Sequence, residues 1–292
     1  MTGPWPRCAF AAQAADDPVE GTAPPGDRWL LVEHPGPWPA QALAALSVAV
    51  ASELAEWAAR SNGRVLLVRR PGRARTGERR RWFRVDSRPG QESVRTGTYD
   101  AEAQLPAVLD DPGEPHDGPL VLVCTHGKHD TCCAVRGRPV AAALAAEEPD
   151  AVWECTHVGG CRFAPAVVLL PHGHVLAHLE AADAPAVLAA YRAGRLEPDT
   201  LRGRSALPPA VQAAQHHARL ATGATGVHDL RLVHVTRDRG ADGVVDWHVE
   251  LAAPDCSVLL RERHVDTGRP LTCAAAHSGR MRVFELRKLR VP

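Results

Sequence analysis

Hydrophobic positions in the first hundred residues predict strands around one long helix. The segment RWLLVEHPGPWP (28–39) begins with consecutive apolar residues, which is typical of a buried strand, and is then broken by prolines. Residues 40–60 are rich in Ala and Leu and predict a helix that ends near Asn62-Gly63. Two further apolar runs, at 63–70 and 80–87, predict the next strands.

A second set of apolar runs begins at residue 120, after a Pro-, Gly- and Asp-rich segment at 110–119 that predicts a linker. The predicted elements are, in chain order, a strand at 120–123, a Cys-containing loop, a helix at 137–149 with Pro139 near its first turn, a strand at 151–155, a Gly-containing loop, a hairpin of strands at 164–170 and 174–179, and a helix at 183–196. This order matches a thioredoxin-like α/β layout with a shortened middle helix.

The chain is therefore predicted to be an α/β protein with three regions. The regions are an N-terminal α/β region at 1–112, a thioredoxin-like domain at 113–200 and a small α+β region at 201–292. In the last region the pattern predicts a helix at 207–222 and strands at 231–237, 244–251 and 257–264.

Composition and charge narrow the function classes. The chain has 34 basic and 34 acidic residues and a formal net charge of zero, which argues against a nucleic-acid-binding or membrane-surface protein. The N-terminus lacks the features of a secretory signal, and no run of about 18 apolar residues predicts a membrane span. We therefore expect a cytoplasmic protein with reduced thiols. The basic segment 71–81 is expected to be a solvated loop, with a docking patch for an acidic partner as the alternative.

Cysteines are clustered along the chain. Five of the eight lie between residues 124 and 161, which does not suit a disulfide framework and favours metal binding or catalysis in a reducing compartment. The side chains that could bind a metal lie in two predicted loops, with Cys124, His126, His129, Cys132 and Cys133 in the first and Cys155, His157 and Cys161 in the second. Parallel neighbouring strands would bring these loops to one edge of the sheet. His126 and His129 are expected to be exposed in the first loop, with a contact to the metal-binding residues as the alternative. The spacing of Cys256 and Cys273 gives no metal motif, so we expect them to be structural, with a second site as the alternative, and we expect Cys8 to be incidental.

The two loops together resemble a known family. The stretch CTHGKHDTCCAVRGRP, followed by WECTHVGGCRFAPAVVLLPHG, is similar to the sucrase/ferredoxin-like family, and the resemblance is specific across about 119–180. Members of that family are thioredoxin-like ferredoxins that carry a [2Fe-2S] cluster. The resemblance therefore implies this cofactor, and a one-electron carrier in place of an enzyme.

The resemblance also implies a ligand set. The first loop of the family supplies two cysteines, which correspond here to Cys124 and Cys133 on an inner iron. The second loop usually reads H-x-G-G-H and here reads HVGGC, so His157 matches and Cys161 replaces the second histidine on an outer iron. Cys132 and Cys155 are expected to pack, and they stand as neighbours or substitutes for the ligands.

A cluster with one histidine ligand is expected to have an intermediate reduction potential. Two histidines on one iron give roughly −150 to +300 mV, and plant-type clusters with four cysteines about −400 mV. A neutral imidazole can gain a proton on reduction, so electron and proton transfer are expected to couple. Arg136, Arg138 and Arg162 flank the implied ligands and would stabilise the reduced cluster, contact an acidic donor or simply lie at the surface.

The expected partner is a redox protein, with a flavin-type reductase as the donor. Two alternatives use the same region of the chain. The implied ligands could hold a structural zinc ion, because zinc takes the same ligand types. Cys132 or Cys133 could instead serve thiol–disulfide exchange, although the loop lacks the C-x-x-C spacing of such proteins.

Overall fold

The computed structural model describes residues 6–72, 79–241 and 243–291, in which the chain forms a ten-stranded sheet, a four-stranded sheet and five α-helices. It is a mixed α/β structure, as the sequence predicts. Most of the basic segment predicted as a loop at 71–81 lies outside the described residues. None of the helices within these ranges has the length and apolar character needed to cross a bilayer.

The secondary structure elements are numbered in chain order. The helices are α1 (Cys8–Ala14), α2 (Val48–Ser61), α3 (Thr131–Glu147), α4 (Ala184–Arg192) and α5 (Pro209–Thr222). The large sheet contains β1 (Arg28–Glu33), β2 (Gly63–Arg69), β3 (Arg80–Asp86), β4 (Ser93–Tyr99), β5 (Glu114–Pro115), β6 (Leu120–Cys124), β7 (Val152–Cys155), β8 (Val167–Leu170), β9 (His174–Leu176) and β10 (Leu201–Arg204). The small sheet contains β11 (Arg231–Arg239), β12 (Val245–Ala252), β13 (Cys256–Asp266) and β14 (Arg280–Arg290).

The large sheet consists of two units with the same topology. In the first unit β1 pairs parallel with β2 and antiparallel with β3, which pairs antiparallel with β4. In the second unit β6 pairs in the same way with β7 and β8, and β8 pairs with β9. A crossover helix, α2 or α3, links the two parallel strands of each unit. The units join where β2 and β7 pair antiparallel at Val68↔Cys155 and Arg69↔Glu154. The sheet is thus continuous across the predicted linker, and the three domain boundaries stay a prediction.

The helix predicted at 40–60 is divided into two pieces. A short 3-10 turn covers Ala42–Ala45, and the α-helix proper begins at Val48 after the extended residues Leu46 and Ser47. Asn62 ends α2 in the left-handed conformation, with a φ of 51°, which Asn tolerates better than most residues. The predicted end of this helix is therefore confirmed, and the predicted start is not.

Helix α3 begins at Thr131, six residues before the predicted start at 137. The prediction placed Pro139 in the first turn, but Pro139 lies inside the helix. Asp130 is the N-cap, and its carboxylate accepts a hydrogen bond from the Cys132 N–H at 2.9 Å. This cap moves the Cys132-Cys133 pair from the predicted loop into the first helical turn.

Alternation along β6 decides which side of the sheet carries its cysteine. Val121 and Val123 pack against α3 and α4 on one face. Leu122 and Cys124 point to the other face, where Cys8 and Ala9 of α1 belong to the same buried cluster. Cys124 is therefore buried on the face of the sheet opposite α3 and α4.

The C-terminal region forms an antiparallel sheet in the order β11-β12-β13-β14, with α5 against it. The predicted helix and the three predicted strands are present. The fourth strand, β14, was missed because RMRVFELRKLR is dominated by charged residues and carries a weak apolar alternation. β10 was also missed, and it pairs with β9 in the large sheet.

Gly137 allows α3 to cross closely over the end of β6. A Cβ at this position would collide with the Cys124 carbonyl oxygen and stand 3.1 Å from its carbonyl carbon. Neither backbone can move away without shifting the first turn of α3 or the end of β6.

We predict that Gly137→Ala lowers the free energy of unfolding by about 1–3 kcal/mol, the range of overpacking in a tight contact. Urea unfolding of the two proteins measures the difference. The control is Val135→Ala, because Val135 lies in the same helix with 43% of its surface exposed. Equal stability of Gly137→Ala and Val135→Ala would contradict the close-packing argument.

Candidate metal centre

The ends of β6 and β7 place two loops at one edge of the large sheet. The strands are parallel, and Cys124 at the end of β6 is the register partner of Cys155 at the end of β7. The Thr125 N–H donates to the Cys155 carbonyl at 3.2 Å, which extends the pairing one residue beyond the strands. The chain then turns into the first loop after Cys124 and into the second loop after Cys155. The juxtaposition expected for parallel neighbours is confirmed.

The first loop delivers Cys133 from the start of α3. Residues 125–130 turn back towards the sheet, and Cys133 follows in the first helical turn after the Asp130 cap. The N-terminus of a 17-residue helix carries exposed N–H groups and a partial positive charge. This partial positive charge stabilises negative charge on the donors beside it, which suits a metal site.

The second loop makes a sharp turn between His157 and Cys161. Gly159 and Gly160 have φ values of 122° and 75°, a region that residues with a side chain rarely adopt. A Cβ on Gly160 would stand 2.6 Å from Nη2 of Arg202. The two glycines therefore let the chain reverse and bring Cys161 back to His157.

Four of the predicted donors converge. The sulfurs of Cys124 and Cys133 and a ring nitrogen of His157 all lie within 4.8 Å of one another. The Cys133 sulfur is 4.0 Å from His157 Nδ1, and the Cys161 sulfur is 3.7 Å from the same atom. Cys133 and His157 each contact both remaining cysteines, so the four side chains form one connected group.

The thiols and the imidazole perturb one another strongly. The Cys133 thiol holds the pKa of Cys124 well below its usual range, although burial alone would raise it, and His157 adds to this effect. Cys133 and His157 also lower the pKa of Cys161 to about 7. Contacts with Cys124 and Cys161 raise the pKa of Cys133 in turn. Burial lowers the pKa of His157, but its contacts with Cys124 and Cys161 outweigh this and raise it to about 9. A site with two favoured thiolates attracts a cation.

The three sulfurs are buried and His157 is partly exposed. The exposed His129 stacks on the His157 ring, with centroids 3.8 Å apart. The prediction that His126 is exposed is wrong, since only 2% of its surface is accessible. Its Nδ1 accepts the His157 N–H at 3.3 Å and its Nε2 donates to the Pro39 carbonyl at 2.8 Å. His126 thus fixes the backbone of a donor residue, and His129 covers the side chain.

Two arginines that the sequence did not single out hold the second loop. Arg202 donates to the Gly159 carbonyl at 2.9 Å, and Arg64 donates to the Val158 carbonyl at 2.5 Å. Burial, with smaller contributions from neighbouring arginines, lowers the pKa of Arg202 to about 9. Both arginines lie far in sequence from the carbonyls that they contact, 43 residues from Gly159 for Arg202 and 94 residues from Val158 for Arg64, so local spacing carries no signal for them.

The arginines predicted to flank the ligands have other positions. Arg136 pairs with Glu180 and donates to Gln13 at 2.7 Å, and Arg138 is exposed on the outer side of α3. Arg162 lies 3.5 Å from Asp17. The positive charge next to the second loop comes from Arg64 and Arg202 instead.

Cys155 and Cys132, the two candidate substitutes, do not join the four donors. Cys155 is fully buried in the core and belongs to none of the donor groups among the described residues. The Cys132 sulfur lies in a different group, together with Cys8, Cys273 and Asp130. The expectation that Cys8 is incidental therefore does not hold, because α1 brings it to the first turn of α3.

The donor set suits a metal ion or an iron–sulfur cluster. Three thiols and one imidazole are ligands for zinc and for iron–sulfur clusters alike. The short distances that link Cys133 to His157 and His157 to Cys161 join the two loops into one donor set.

Comparison with known families agrees with this geometry. The family model described as Sucrase/ferredoxin-like matches residues 19–203, more than half of the chain. The chain belongs to the sucrase/ferredoxin-like family. No curated protein and no solved structure matches the chain significantly.

The sucrase/ferredoxin-like match separates two parts of the molecule. It includes all four converging donors, and it ends at residue 203, just after the buried Arg202. Cys8 and the small sheet with its Cys273 loop lie outside the matched range. The matched range thus contains all of the first donor group but only Asp130 and Cys132 of the second.

We predict that Cys124→Ala removes bound metal from the four-donor group, with the content of the metal held by that group falling by about tenfold or more. The matched control is Cys155→Ala, since Cys155 is the register partner of Cys124 and equally buried. Metal per chain is measured by mass spectrometry on protein purified without oxygen. An equal loss in both variants would place the metal elsewhere.

Proposed function

We propose that this protein is a one-electron carrier that binds one [2Fe-2S] cluster through Cys124, Cys133, His157 and Cys161. The observation that carries the proposal is the meeting of three cysteines and one histidine from two loops at one sheet edge. Zinc takes the same donor types, so the experiment below distinguishes the two metals. The family match supports the proposal, because it covers both loops.

The residues proposed for the inner iron, Cys124 and Cys133, and those proposed for the outer iron, His157 and Cys161, have different surroundings. Cys124 and Cys133 are almost fully buried, at 1% and 2% exposure, and would hold the inner iron. His157 is partly exposed and would hold the outer iron together with Cys161. The His157 side therefore faces the surface at which a redox partner could dock, and a flavin-type reductase is the expected donor.

The protein residues around the donors set the charge of the site. When bound, a [2Fe-2S] cluster supplies a one-electron couple. Three thiolates make the donor set anionic, and the N-terminus of α3 and the buried Arg202 offset part of that charge. A histidine in place of a fourth thiolate makes the site less negative, which favours the added electron.

His157 can also couple proton transfer to electron transfer. Only one of its ring nitrogens can serve as a ligand, so the second is available to hold a proton. His129 stacks on the ring and partly covers it from solvent. An added electron would make the surroundings more negative and favour protonation of that second nitrogen.

The direct test is a visible spectrum of the full chain purified without oxygen, with iron, sulfide and zinc assayed on the same sample. We expect charge-transfer bands that bleach with dithionite, and equal iron and sulfide at about two per chain. A colourless protein that binds zinc at these residues would contradict the proposal. Reconstitution with iron and sulfide separates cluster loss during purification from a real absence of binding.

Replacement of Cys161 by histidine tests the outer pair. Cys161→His should keep the iron and sulfide content and raise the reduction potential, because a neutral ligand replaces a thiolate. The potential is measured by redox titration of the visible bands against the unaltered protein. Unchanged potential with full iron content would mean that Cys161 is not a ligand.

A further inference from the structure

A second group of metal-binding side chains lies beside the first. The sulfurs of Cys8, Cys132 and Cys273 and a carboxylate oxygen of Asp130 all lie within 4.8 Å of one another. They come from α1, from the first turn of α3, and from the segment between β13 and β14. None of these four residues is among the proposed cluster ligands, and the Asp130 carboxylate also lies within 4.8 Å of the Cys133 and Cys161 sulfurs.

We propose that Cys8, Cys132, Cys273 and Asp130 form a second metal centre, a tetrahedral site for zinc. Zinc favours four ligands, and thiolates with a carboxylate are within its usual donor types. On binding, zinc displaces the three thiol protons to solvent, and no electron is transferred. The proposal does not depend on whether the first site holds a [2Fe-2S] cluster.

The spacing of the donors matches such a site. The Cys132 and Cys273 sulfurs are 3.4 Å apart, and those of Cys273 and Cys8 are 3.5 Å apart. Two thiolates on one zinc stand about 3.8 Å apart, given Zn–S bonds of about 2.3 Å and tetrahedral angles. The Cys8 sulfur lies 3.6 Å from Oδ2 of Asp130, close to the separation of about 3.5 Å for a sulfur and an oxygen on one zinc.

A disulfide explains this group less well. Its sulfurs would be about 2.0 Å apart, and any one disulfide would leave the third cysteine unpaired. In the structure the Cys273 sulfur stands at nearly equal distances from two other sulfurs. Three sulfurs gathered around a common space, with a carboxylate beside them, suit an ion better than a pair.

The Asp130 carboxylate is fixed in place by the backbone. Oδ1 accepts the Cys132 N–H at 2.9 Å and Oδ2 accepts the Cys273 N–H at 2.8 Å. Asp130 is therefore held by two of the residues whose sulfurs it joins, and it is almost fully buried. Hydrogen bonds of this kind orient a ligand before the metal binds.

Nearby arginines offset the negative charge of the proposed centre. Three thiolates and a carboxylate around a divalent ion leave two negative charges. The buried Asp17 pairs with both Arg162, at 3.5 Å, and Arg269, at 2.5 Å. Arg162 also interacts electrostatically with Cys8. These three residues together contribute one positive charge beside the site.

The proposed centre would join three distant parts of the chain. Cys8 and Cys273 are 265 residues apart, and Cys132 lies between them in sequence. A metal ion here would hold α1 and the segment between β13 and β14 against α3, next to the first donor group. It would give the C-terminal region a structural role at the sheet edge.

The test counts zinc and iron per chain in full-length protein purified without oxygen from cells supplied with both metals. We expect one zinc per chain in the unaltered protein and in Cys256→Ser, the matched control, because Cys256 is buried in the small sheet outside every donor group of the described residues. Cys273→Ser should reduce zinc by about tenfold or more after dialysis against a weak chelator. Its iron content should be unchanged.

Cys273 is exposed, so Cys273→Ser is not expected to disturb packing, and circular dichroism verifies that this variant is folded.

Two further variants, Cys8→Ser and Cys124→Ala, distinguish the two sites. Cys8→Ser should lose zinc in the same way as Cys273→Ser, whereas Cys124→Ala should lose iron and keep zinc. Zinc that disappears in Cys124→Ala but not in Cys273→Ser would belong to the first site and overturn the proposal. A disulfide between any two of Cys8, Cys132 and Cys273, found by alkylation and mass spectrometry in place of zinc, would also overturn it.

Discussion

The parallel pairing of β6 with β7 is the constraint on which the candidate site depends. Their register aligns Cys124 with Cys155, so the two loops leave the sheet at the same level. A slip of one residue would turn Cys124 towards the face covered by α3 and α4. The close crossing at Gly137 then fixes how far the first turn of α3 stands from the strand end. Strand register and helix position together determine where Cys133 meets Cys124.

Charge is the second requirement of the site. Buried thiolates are costly unless positive groups or a metal compensate them. The N-terminus of α3 and the arginines Arg64 and Arg202 supply positive charge from three separate parts of the fold. Asp130 lies within 4.8 Å of Cys133 and Cys161 and also belongs to the neighbouring group of cysteines. Any ion bound by that group would therefore alter the electrostatic field at the first donors.

The sequence predicted the strands and turns that depend on residues close together in the chain. Short apolar runs located β6 and β7, and the two glycines of HVGGC predicted a tight turn that brings His157 near Cys161. The start of α3 was not predicted, because Pro139 is typical of a first helical turn. In the structure Asp130 caps the helix earlier in the chain, and Pro139 lies inside it. Neither the contact of Cys8 with Cys273 nor the support from Arg202 could be predicted, because tertiary contacts across long stretches of chain create both. The two halves of the large sheet have the same topology, but no repeat with a fixed period in the sequence indicates it.

We propose that Cys124, Cys133, His157 and Cys161 bind the two iron ions of one cluster. X-ray diffraction from crystals of protein purified without oxygen, recorded on both sides of the iron and zinc absorption edges, identifies the metal directly. We expect two adjacent iron peaks, one beside Cys124 and Cys133 and the other beside His157 and Cys161. A single peak at this position that appears only at the zinc edge would contradict the proposal.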